Sequence, residues 1–331
     1  MLPPGTQIGD WVVQKKIADG DDGTLFQAQN QTSLHLVAAL RVLPATQLGR
    51  PLDECTEILS RLSQVRHPSL ARVIEGGGSR TDKEACLFMV REFVEGEHLG
   101  QTLKKGAMPW EQACSIAVQL LEGIALLHSK GIPHGNIKAS NVCLRPSGKV
   151  SLLDCALGVD TKPRLLTEMG QRFGTMAYLP PEVLRGEALD PFSGDVYAMG
   201  QLLCELIRGE PLFPDSTTIS ATQRQSRTLS MKLEAGPMEA GDGVPEELQE
   251  LIRCATHPDP SCRTVSVQVF ASKLAQVLEI GVAAQEAEDE FLDVSQVTSP
   301  LTTAKSSKNY AVWIGGVGIV TAGVGFFYMF G

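Results

Sequence analysis

The chain lacks an excess of basic residues: 29 Lys and Arg stand against 38 Asp and Glu over 331 residues, a formal charge of -9. Nucleic-acid affinity comes largely from cations that release counterions from phosphates, so this balance argues against DNA or RNA as a partner. No C-x-x-C pair occurs among the eight cysteines (Cys55, Cys86, Cys114, Cys143, Cys155, Cys204, Cys254 and Cys262), and the six histidines show no H-E-x-x-H or other ligand spacing. Structural zinc is therefore not expected. Several cysteines sit inside apolar runs, which suits buried, reduced thiols in a reducing cytosol. The opening MLPPGTQIGD has neither a basic start nor an apolar stretch, so no cleavable signal peptide is expected. No internal repeat is visible.

With 43% hydrophobic residues the chain can build one large domain or two lobes around a sizeable core. The far end differs in texture. AVWIGGVGIVTAGVGFFYMFG, residues 311–331, is uncharged throughout. As a helix it would span ~30 Å, about one hydrocarbon core. Its six glycines would weaken a soluble helix, and aromatic residues gather at both ends (Tyr310 and Trp313, then Phe326, Phe327 and Tyr328). A single transmembrane anchor over 311–331 is expected. Lys305 and Lys308 precede it and no charge follows, which leaves the folded part cytoplasmic. Small residues four apart (Gly318 with Ala322, Thr321 with Gly325) allow pairing of two such helices in a homodimer. The segment 281–310, first acidic (EAEDEFLD) and then rich in Ser, Thr and Lys, reads as a flexible linker.

Residues 11–43 alternate apolar runs with a Gly/Asp turn, the pattern of a strand hairpin followed by a third strand. LDECTEILSRLSQV (52–65) repeats apolar residues at helical spacing, and CLFMVREFV (86–94) returns to strand. From Trp110 the texture is helical: Ile116, Ala117, Leu120, Leu121, Ile124 and Leu127 share one face, and DVYAMGQLLCELI is apolar nearly all round, as in a buried helix. An α+β architecture follows, a small β-rich lobe before a larger helical one.

Eight short stretches occur in a fixed order: ADGDDG, AALRVL, HPSL, VREFVEG, HGNIKASN, LLDCA, GTMAYLPPE and DVYAMG. Their order and spacing resemble the protein-kinase fold over residues 8–278, with an N-lobe of about 8–92 and a C-lobe of about 93–278. Lys138, two places after the catalytic-base position, is the Ser/Thr-kinase pattern, and LPPGTQIGDWVVQKKI looks like the opening of bacterial Ser/Thr kinases. Such kinases often carry one membrane span after the catalytic domain.

The resemblance implies a part for each motif, and several residues depart from it. The glycine loop that lets backbone N–H groups close over a triphosphate keeps Gly20 and Gly23 but has Ala18 at its first glycine, with Asp19, Asp21 and Asp22 at the tip. A carboxylate ~5 Å from a phosphate charge costs ~1 kcal/mol in water and more when desolvated. Arg41 stands at the phosphate-holding Lys; its planar fork does not replace an ammonium at a tight site, and a structural pair with Glu57, or with Glu54, is expected instead. Arg91 falls where the family walls off the back of the adenine pocket, beside the hinge residue Glu92; a register one residue off would turn it to solvent. His134 is kept, Gly135 replaces the Arg that would bind a phosphorylated activation loop, and Asn136 replaces the base, where a carboxamide cannot take up a proton near neutral pH. Asn141 and Asp154 remain as an implied Mg²⁺ pair, although Cys155 and Ala156 follow Asp154 where Phe and Gly are usual. Glu182, Arg263 and Asp195 match scaffold residues: an ion pair, and a carboxylate that holds the catalytic-loop backbone.

Residues that keep the fold are retained and those that make the chemistry are changed. The expectation is a membrane-anchored pseudokinase that binds other signalling proteins or kinases, with ATP and Mg²⁺ binding weak or absent. A slow atypical kinase using Arg41, Asn141 and Asp154, or a nucleotide-sensing switch without phosphotransfer, remain as alternatives.

Overall fold

The first ninety residues build one antiparallel sheet with apolar side chains buried on both faces. Its strands are β1 (Gln7–Ile8), β2 (Trp11–Gly20), β3 (Gly23–Asn30), β4 (Val37–Pro44), β5 (Val73–Arg80) and β6 (Ala85–Glu92), in the order β1-β2-β3-β4-β6-β5. One face packs Trp11, Phe26, Leu40, Phe88 and Val90 against each other. The other face turns Leu87 and Met89 toward helix α1 (Leu52–Leu62), which buries Leu59 and Leu62. Three glycines of β5 let that helix lie close: a Cβ on Gly76 would stand 2.7 Å from Leu59 Cδ1, and one on Gly78 3.1 Å from Leu52 Cδ2.

The computed structural model describes residues 2–20, 23–48, 50–81, 84–155, 176–187, 190–214, 219–263 and 265–280. The expected 281–310 linker and 311–331 span lie outside them, as do Asp21, Asp22 and Ala156. Among the described residues no helix is long and apolar enough to cross a membrane. All eight cysteines are described and free of disulfides, and Cys86, Cys114, Cys143, Cys155 and Cys204 are buried.

The second lobe begins with β7 (Glu97–His98), the single-turn helix α2 (Leu99–Thr102) and the long α3 (Trp110–Ser129), whose buried face runs from Ala113 to Leu127. The hairpin β8 (Val142–Leu144) and β9 (Val150–Leu152) joins β7 in a second, three-stranded sheet. That sheet was not anticipated. Strands of two or three residues are too short to show an alternation, although the apolar triplets VCL and VSL flank a turn at RPSGK.

Then come α4 (Pro181–Leu184), α5 (Pro191–Arg208), α6 (Ala221–Ala235), α7 (Glu246–Ala255) and a last helix, α8, over 267–280. Helix α5 is the spine of this lobe, with every residue from Gly194 to Ile207 buried. Asp190 caps it by accepting from Phe192 N, Pro191 occupies its first turn, and Gly209 ends it in the left-handed conformation at φ 73°. Leu202 and Leu203 are fully enclosed, and such burial stabilises by ~1.5–3 kcal/mol per side chain. Both lobes belong to one compact unit, residues 1–287.

Candidate functional site

The buried helix α5 and the β8–β9 hairpin position one loop between them. Asp195, near the start of α5, accepts from His134 N and Gly135 N, each at 2.7 Å, and meets His128 Nε2 at 2.8 Å. Gly135 takes φ 68°, a backbone that most side chains avoid, and this lets both amides face the carboxylate. His134 is fully buried, and burial pushes its pKa down to about 4, so the ring is neutral. Its Nδ1 accepts from Asn136 N at 3.3 Å. Asn136 Nδ2 donates to the Asp154 carbonyl at 3.3 Å, and Asn141 Nδ2 to the Asn136 carbonyl at 2.9 Å. Leu153 N then bonds the Asn141 carbonyl at 2.8 Å. Asn136, Asn141 and Asp154 therefore converge, with Lys138 buried beside them.

Two arginines enter from the other lobe. In the β4–β6 register Arg41 lies opposite Met89 and Arg91 opposite Ala39. The two arginines are thus diagonal neighbours on one sheet face, within reach of a common partner. That partner is Asp154: Arg41 Nη2 bonds its Oδ2, and Arg91 Nε its Oδ1 at 2.7 Å. All three side chains are less than a tenth exposed. Burial alone would raise the Asp154 pKa; Arg91 and then Arg41 outweigh it and hold the carboxyl well below the usual carboxylate range. Asp154 itself sits at φ 55°, a conformation that Asp tolerates better than most residues.

The expected pair between Arg41 and Glu57 is replaced. Among the described residues no ion pair joins Arg41 to Glu57 or Glu54; both glutamates are exposed on α1, while the Arg41 fork turns to Asp154. Arg91 is buried rather than turned to solvent. It fills the back of the cleft, where a cavity of about 20 Å³ between Leu62, Leu127 and Cys155 has room for about one water.

Glu92, expected at the nucleotide, has its side chain committed elsewhere: Oε1 accepts from Arg145 Nη2 at 2.7 Å and Arg72 N at 3.3 Å. Its carbonyl accepts from Arg91 Nη1 at 3.1 Å. Gly20 pairs with Gly23 across the turn of the glycine loop. Asp19, at the loop's edge, bonds Lys16 Nζ and accepts from Thr24 Oγ1 at 3.1 Å, so part of its charge is offset locally. Farther away, Arg263 grips Glu182 with Nη1 at 2.6 Å and Nη2 at 2.7 Å, a buried bidentate pair that ties α4 to the segment after α7.

This donor set does not fit Mg²⁺. Both oxygens of Asp154 already face guanidinium groups, which cannot lose their protons. A dication ~5 Å from one guanidinium would meet ~7 kcal/mol of repulsion at an effective dielectric of ~20. Asn141 turns its amide nitrogen to the Asn136 carbonyl. Among the described residues no group of three or more His, Cys, Asp or Glu side chains is arranged to hold a metal. Sequence reasoning named both arginines but not their shared partner. It also missed His128 and Arg145, for which the only signal was a basic residue in the last turn of α3 and one after an apolar triplet.

Two lobes, an amide-fixing aspartate on a buried helix and a loop of His134 to Asn141 define the architecture of a kinase domain. Residues 11–275 match the protein kinase domain family, and the chain belongs to it. Its curated relatives include serine/threonine-protein kinase PknL of Mycobacterium tuberculosis, 29% identical over 280 residues that cover 81% of this chain and 66% of PknL. PknA of the same organism is 27% identical over 279 residues, 82% of this chain and 62% of PknA. The chain thus spans just under two thirds of the length of these relatives. Among solved structures, the kinase domain of Mycobacterium tuberculosis PknI matches with a TM-score of 0.58 at 18% identity, covering 84% of this chain and 99% of that one. That likeness concerns the fold alone.

Proposed function

We propose that this kinase-fold protein is a Ser/Thr-type pseudokinase, anchored to a membrane through residues 311–331, that acts by binding other signalling proteins. The observation that carries the reading is the double pairing of Asp154 with buried Arg41 and Arg91, which puts fixed positive charge where a metal would be needed. Asn136 adds a second defect, because its amide cannot accept the substrate proton. Loss of the base alone removes typically 10²–10⁴-fold, and phosphoryl transfer rests mainly on positioning and charge, so the two defects act on different requirements.

The test is a thermal-shift titration of the full chain in detergent with ATP and Mg²⁺, paired with a phosphotransfer assay. No shift is expected, and turnover at least ~10³-fold below a competent kinase. Asn136→Asp alone should not restore it, because the arginine pair stays in place. Micromolar affinity with measurable turnover would instead establish a slow kinase.

A second reading has its own support: two guanidiniums face one carboxylate, leaving a net positive charge in the cleft. A nucleotide held by its phosphates without metal would use that charge. ATP in EDTA raising the melting temperature as much as ATP with Mg²⁺, without turnover, would favour that switch.

A further inference from the structure

Beside the hinge residue Glu92 lies a second, open cavity of about 530 Å³, with residues 66–72 on one wall and 145–149 on another. Arg66, Arg72, Arg145 and Lys149 line it, and among the described residues of its wall Glu92 is the single carboxylate. Four cations against one acid is a local inversion in a chain of formal charge -9. A concave wall of one sign focuses the field and concentrates ligands of the other.

Two of the cations are held in place: Arg145 donates Nη2 to Glu92 and Nε to Ser151 Oγ at 2.7 Å each, and Arg66 donates Nη1 to the Ser63 and Val65 carbonyls at 2.5 and 2.7 Å. Arg72 and Lys149 are exposed. Glu92 neutralises no more than one of the four, so the groove keeps a positive surplus for a ligand.

We infer that this groove is a binding site for an anionic peptide segment of a partner protein, carrying clustered carboxylates or a phosphorylated side chain. Guanidinium forks recognise both groups with paired hydrogen bonds. The cavity is far larger than one phosphate ion and sits in the range of drug-sized sites. Leu70 adds an apolar contact on its wall. An anionic bilayer fits less well, because a recessed cleft offers it little surface and the net charge of the molecule repels it. The groove gives the protein-binding role proposed above a surface, and it fails separately: loss of peptide binding leaves the nucleotide reading untouched.

Fluorescence anisotropy of full-length protein in nonionic detergent tests the site. The probes are a labelled glutamate-rich peptide and the same peptide with a central phosphothreonine. At least one should bind, weaken as salt rises, and lose about tenfold or more in affinity with Arg72→Glu or Lys149→Glu. Both residues are exposed, so the variants should melt with the unmodified protein, and Lys15→Glu on the exposed side of β2 should bind normally. Three results would overturn the inference: no peptide binding at low salt, equal binding by all variants, or binding only of pyrophosphate or of phosphatidylserine vesicles. Whichever peptide binds more tightly identifies the carboxylate or the phosphoryl group as the recognised anion.

Discussion

Taking the charge off Asp154 separates a structural carboxylate from a metal ligand. A solvated ligand can become an amide with little effect on folding. Asp154→Asn would instead strand two guanidiniums that are less than a tenth exposed, and removing one member of a buried ion pair costs ~3–5 kcal/mol. We expect a melting temperature lower by on the order of 10 °C, measured without nucleotide. The pH dependence follows from the depressed pKa of the carboxyl, which burial opposes and the two arginines impose. A carboxyl with a folded pKa below its unfolded value of ~3.9 stabilises the protein fully above that value and loses the contribution as pH falls through the folded pKa. Acid titration of the unmodified protein below pH ~4 should therefore show a loss of stability that Asp154→Asn lacks. Equal melting temperatures of the two proteins would leave the arginine pair without a structural role. The sequence left the direction of Arg91 open, and it is the β4–β6 register that puts Arg41 and Arg91 on one sheet face. What the chain order hid was their partner, 113 positions beyond Arg41 and 63 beyond Arg91. A motif correspondence pointed Arg41 at Glu57, but the position of α1 leaves Glu57 at the surface.

At the scale of elements, the glycine loop shows how a motif can outlast its chemistry. Gly23 adopts φ +96°, and a Cβ there would lie 2.4 Å from the Val42 carbonyl oxygen, inside the β3–β4 pairing. The residue must be glycine for the sheet to close, whatever the loop binds. Gly148, in the β8–β9 turn, provides the comparison, with φ +77° and open space around it. Gly148→Ala should cost ~1 kcal/mol from backbone strain alone, and Gly23→Ala more than ~2 kcal/mol because strain and collision add. Chemical denaturation in the absence of nucleotide measures both. Equal costs would mean that the β3–β4 approach is looser than these contacts indicate. Long elements were legible for the same physical reason: α3 and α5 carry enough turns for their apolar pattern to register, and the hairpin of β2 and β3 has its Gly/Asp turn. The β7-β8-β9 sheet was not, yet it is the element that carries Asn141 and Asp154 to their places.

For the whole molecule, the order of a β-rich lobe before a helical one could be read from texture, and the Glu182–Arg263 and Asp195 contacts arise inside that order. The proposed anchor rests on different physics, a stretch without charge from Ala311 to Gly331 flanked by Lys305 and Lys308. Were the run a single helix, its backbone would be satisfied internally and its apolar surface would favour transfer to lipid. Expressed whole, the protein should sediment with membranes and resist extraction by high salt or alkaline carbonate. Ending the chain at residue 287 should release a soluble domain that melts in a single cooperative transition. If the shortened protein still sediments with membranes, a surface of the kinase-fold unit holds it there, and the terminal run is not the anchor.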